Sequence, residues 1–75
     1  MPTLAELKKL EGQDVEYLFR DKYRRMNMAA VQTDENRIKG CYKGYVGEVR
    51  LNYTDGKPRE WDGFWTNKLD RIRIL

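Results

Sequence analysis

Asp14-Val15-Glu16-Tyr17-Leu18-Phe19 decides the fold of this 75-residue chain. Val15, Tyr17 and Phe19 alternate with Glu16, Leu18 and Arg20. A period of two belongs to a β-strand, whose successive side chains point to opposite faces. Asp21-Lys22 predicts the turn that ends it. A second strand over 23–33 sets Met26, Met28 and Ala30 on one face, and Asp34-Glu35-Asn36 predicts the next turn. A third strand follows from Arg37 through Tyr42. Gly44 and Gly47 then interrupt the pattern, as glycines do at bulges and sharp bends.

Upstream of Asp14 the period is helical. Thr3-Leu4-Ala5-Glu6 has the spacing of a capping box, in which the Thr3 hydroxyl and the Glu6 carboxylate each accept from the other residue's backbone N–H. Leu4, Leu7 and Leu10 form one apolar edge, and Gly12 enters the left-handed region that stops a helix. The spacing predicts a helix over 3–11, too short to stand alone and therefore docked on the strands.

Downstream, Tyr53-Thr54-Asp55-Gly56-Lys57 carries turn chemistry. A two-residue Asp-Gly loop would bring Glu60 and Asp62 onto an apolar face. A three-residue loop, Thr54 to Gly56 with Gly56 left-handed, instead sets Val49 opposite Trp61, Tyr45 opposite Trp65 and Arg50 opposite Glu60. Its blemish is Glu48 facing Asp62. This register gathers Val49, Leu51, Tyr53, Trp61 and Trp65 on one face, which makes Trp61 a core residue and leaves Trp65, nearer an end, open between core and surface. Asn67-Lys68-Leu69-Asp70 predicts a short turn before a last strand, Arg71 to Leu75, with Ile72 and Ile74 inward and Arg71 and Arg73 outward.

The chain thus reads as one mainly β domain over 1–75, with a short N-terminal helix and strands across 14–75. About five short, bent strands fit a small barrel best; a helix on an open four- or five-stranded sheet is the main rival. The element order resembles the Sm-like/SH3-like small barrels. The segments Arg37-Ile38-Lys39-Gly40-Cys41-Tyr42, Gly47-Glu48-Val49-Arg50 and Leu69-Asp70-Arg71-Ile72 also look like the closing part of WYL domains. That resemblance implies an Sm-like barrel presenting Arg50 and Arg71 to nucleic acid or a nucleotide-like ligand. The Trp-Tyr-Leu signature is missing, and a hairpin separates the two arginines.

Composition excludes much chemistry. There is no histidine and no serine, and Cys41 is the single cysteine. The commonest general base is absent, and one thiol cannot assemble a structural zinc site. Glu48, Glu60 and Asp62 are acids close in sequence, but nothing else points to a catalytic carboxylate pair, and the expectation is a non-enzyme without cofactor or metal. Cys41, flanked by Lys39 and Lys43 at alternate positions, reads as an inert buried thiol. Its solitude points to a reducing, cytoplasmic setting. No apolar stretch predicts a membrane span or a signal peptide, so no membrane partner is expected.

The net charge of +3 is uneven. Residues 1–37 hold seven basic and seven acidic side chains; residues 38–75 hold eight and five. The second half interleaves Lys39, Lys43, Arg50, Arg59, Arg71 and Arg73 with Tyr42, Tyr45 and Trp65. Cations hold phosphates and exposed rings stack on bases, so these nine residues are the candidate nucleic-acid or anion-binding set. The competing reading makes the same arginines a solvated outer face and the rings a core. Arg24 and Arg25 alternate, so only one of them can face a ligand. The second function class is a protein-interaction or self-assembly module, an adaptor or an inhibitor of a larger protein.

Overall fold

The Thr3 hydroxyl accepts from the Glu6 N–H, and the Glu6 carboxylate accepts from the Thr3 N–H, at 3.2 and 3.0 Å in the computed structural model, which describes residues 1–33 and 44–75. This box opens helix α1 (Leu4–Lys9), and Gly12 follows its end at φ 93°. Thr3 holds the Glu6 carboxyl below its usual pKa. Leu7 is fully buried and Leu4 and Leu10 pack beside it. The segment after the helix is tied to the sheet, the Gly12 N–H donating to Met28 O and the Met28 N–H to Gln13 O.

Among the described residues five antiparallel strands follow: β1 (Asp14–Phe19), β2 (Lys22–Val31), β3 (Val49–Tyr53), β4 (Gly63–Thr66) and β5 (Ile72–Ile74), in the order β4-β3-β2-β1-β5. The β1–β2 turn is Arg20-Asp21, one residue earlier than the sequence suggests, because Arg20 itself takes the left-handed φ of 57° and Phe19 pairs with Lys22. A register shift between Met28 and Ala30 turns Val31, not Ala30, into the core beside Met26 and Met28. The Glu11 carboxylate meets the Val31 N–H there at 2.7 Å. The last strand is shorter than expected, since Leu69–Arg71 forms a 3-10 turn; Ile72 is buried while Ile74 is exposed.

The core is Leu7, Val15, Tyr17, Met26, Met28, Val31, Val49, Leu51 and Ile72. The sheet curls over it. Two strands separate β1 from β4, about 14 Å apart in a flat sheet, yet the Tyr17 and Phe64 rings lie 5.3 Å apart and Tyr17 Oη is 3.4 Å from Thr66 Oγ1. Among the described residues no pairing joins β4 to β5, so the sheet is curled and not closed. No described helix is long and apolar enough to cross a membrane. The predicted turn 34–36, the strand Arg37–Tyr42 and the residues Lys39, Cys41, Tyr42 and Lys43 lie outside the described residues.

The hairpin register corrects the sequence reading most. Val49 pairs with Thr66, Arg50 with Trp65, Leu51 with Phe64 and Asn52 with Gly63. The connection is residues 54–62, longer than three residues, and the Tyr53 N–H closes it onto Asp62 O at 2.8 Å. Gly56 is left-handed at φ 71° as expected, but Pro58 has no N–H to give a ladder at its expected place. A shift by an odd number of residues flips every side chain. Phe64 and Thr66 therefore face the core, Trp65 lies on the outer face, and Trp61, 72% exposed, is not core. Glu48 does not face Asp62; its carboxylate accepts from the Tyr45 N–H.

Candidate binding surface

The described members of the expected cation set, Arg50, Arg59, Arg71 and Arg73, do not gather. Arg50 is on the outer face of β3 beside Trp65, its Nε donating to Asn52 Oδ1 at 3.0 Å rather than pairing with Glu60. Arg73, three strands away on the same face, donates to Glu16 at 2.8 Å and lies 3.6 Å over the Tyr23 ring. Between them Arg25 pairs with Asp14, whose carboxyl is held below its usual pKa by the Asn27 amide first and by Arg25 second. Arg71 donates to Leu18 O at 2.9 Å, and Arg59 sits in the 54–62 connection. Exposed pairs of this kind are weak and exchange partners readily, but the four arginines do not share one surface. Trp65 is half-buried under Gly44, where an added Cβ would collide with the indole ring. Tyr45 is 82% exposed.

A different constellation forms at the other side of the sheet. Tyr17, Phe19, Tyr53 and Phe64 make a continuous set of ring contacts, mostly edge-to-face, with centroids 5.1–6.3 Å apart. Period two on β1 and β3 puts Phe19 and Tyr53 there, and the long connection delivers Phe64 in phase. Arg24 and Arg59 lie over the Tyr53 ring at 4.9 and 4.1 Å. Both are gripped by Asp55, which takes Arg59 through two nitrogens at 2.6 Å and also accepts from the Lys57 N–H and from Arg24. Arg59 above all, then the Lys57 N–H, hold the Asp55 carboxyl far below the usual range, and Asp55 in turn raises the Arg59 pKa.

This clasp fixes the connection and leaves an open groove of about 490 Å³ lined by Tyr53, Arg59, Glu60, Trp61, Gly63 and Phe64. A second depression of about 300 Å³ shares Tyr53, Arg59 and Trp61 and continues over Asp55, Lys57 and Asp62. Charge is balanced here: Arg24, Lys57 and Arg59 stand against Asp55, Glu60 and Asp62. Of the expected site residues that are described, only Arg59 belongs to this groove. Sequence reasoning missed the rest because it closed the hairpin too early. Pro58 and the Glu48–Asp62 clash were the signals that the loop is longer.

No family model, curated protein or solved structure matches the chain.

Proposed function

We propose that this is a non-enzymatic protein-interaction domain that holds a segment of another protein in the groove at Trp61. The exposure of Trp61 carries the reading. Tryptophan and arginine are the residues most enriched at interface hot spots, and here one of each flanks an apolar groove. The Asp55 clasp orders the loop before any partner arrives, which lowers the entropy lost on binding. The local charge balance supports a peptide over a polyanion, which needs concentrated cations.

The finer description of the sheet as an Sm-like/SH3-like barrel is supported by its strand order, the preceding helix and the curl that brings Tyr17 to Phe64. Nucleic-acid or anion binding is the second reading. It is favoured by the outer face, where Arg25, Arg50 and Arg73 exceed Asp14 and Glu16 and where Trp65 adjoins Arg50.

Selection of a random peptide library on the wild-type domain, counter-selected on Trp61→Ala, separates the two. Peptides whose binding weakens by about tenfold or more on W61A are expected. Failure to enrich any such peptide, with salt-sensitive binding of oligonucleotides that W61A leaves intact, overturns the peptide reading in favour of the second.

A further inference from the structure

We infer that the groove at Trp61 receives a basic side chain, arginine or lysine, of an extended partner segment, with the Glu60 carboxylate as its counter-charge; this rests on the peptide reading above. Two charged groups line the groove, Arg59 and Glu60. Arg59 is already engaged: both terminal nitrogens meet Asp55 at 2.6 Å, and its guanidinium carbon lies 4.1 Å over the Tyr53 ring. An acidic ligand would have to compete with Asp55 for it. Glu60 has no hydrogen bond or ion pair to any described residue, and it is exposed beside the exposed indole of Trp61.

The remaining walls are the rings of Tyr53, Phe64 and Trp61. Apolar walls with one carboxylate at the rim that bonds to no described residue match a side chain with an apolar stem and a cationic head. The methylenes of Arg or Lys cover the rings while the head reaches the carboxylate and the indole face. An acidic ligand side chain would meet Glu60 with repulsion, and a purely apolar one would strip water from Glu60 without replacing it. In the neighbouring depression Lys57 and Asp62 offset each other, so it adds no preference for either sign.

Synthetic peptides taken from the library selection test this by titration against wild type, Glu60→Gln and Glu60→Lys. Glu60 is exposed and unpartnered, so both variants should melt with the wild type, which a thermal scan checks. The expected result is enrichment of Arg or Lys at one peptide position, binding about 2–5-fold weaker for E60Q and weaker still for E60K. Replacing that basic residue by Glu should restore binding to E60K and abolish it for wild type. Peptides that depend on Trp61 but carry no enriched basic residue, or bind E60K as well as wild type, overturn the inference and leave the proposed function standing. If no peptide depends on Trp61, both fall together.

Discussion

Trp61→Ala distinguishes the observed β3–β4 register from the shorter hairpin that the sequence suggests. Trp61 is 72% exposed, so just over a quarter of its surface is covered. A tryptophan offers about 250 Å² for burial, so about 70 Å² is at stake, or about 1.8 kcal/mol at about 25 cal/mol per Å². The unfolded chain already covers part of that area, which brings the expected loss to about 1 kcal/mol. Were Trp61 opposite Val49 in the core, its removal would cost about 3–5 kcal/mol. For a domain of this size about 1 kcal/mol moves the melting midpoint by about 4–8 °C, so the alternatives are well separated. Urea and thermal melts followed by circular dichroism provide the assay. Leu51→Ala, at a fully buried position, is the comparison and should lose about 2–5 kcal/mol. A W61A domain as unstable as L51A would refute the register and, with it, the groove.

Asp55→Asn should free Arg24 and Arg59 and speed amide exchange across 54–62 while leaving the strands protected; unchanged exchange would show that the clasp does not hold the loop. Native Asp55 stays ionised further into acid than in the unfolded chain, so the unfolded state binds more protons in that interval. The clasp's contribution is therefore complete above the ordinary aspartate range near about 3.9 and is lost as pH falls through the lower native value. A carboxyl-carbon NMR titration of Asp55 with its midpoint at the ordinary value would refute this. Gly63→Ala would drive a Cβ into the Leu51 carbonyl oxygen and the Asn52 backbone; a loss of about 1–3 kcal/mol is expected in urea, and wild-type stability would contradict the close β3–β4 approach.

Local elements were legible because their causes are local. The Thr3–Glu6 box, the stop at Gly12, the alternation of Val15, Tyr17 and Phe19 and the left-handed Gly56 each depend on residues within a few positions. The candidate site was hardly legible. Arg59 was named for its charge, yet its partner is Asp55, and the pair is shared with Arg24, 31 residues from Asp55 in sequence. Arg73 found Glu16 at the far end of the chain, and Arg71 found the Leu18 carbonyl. The contacts of Arg24, Arg73 and Arg71 follow from strand order, which short-range patterns do not encode.

The chain's own letters determined that it lacks histidine and serine, begins with a capped helix and continues as alternating strands. Tertiary structure alone decided which tryptophan faces solvent and which arginines remain available. The physical reason is parity: loop length sets register, and a shift by an odd number of residues exchanges the two faces of a strand. Within that loop, the contact of Arg24 with Asp55 exists only once β2 lies beside β3.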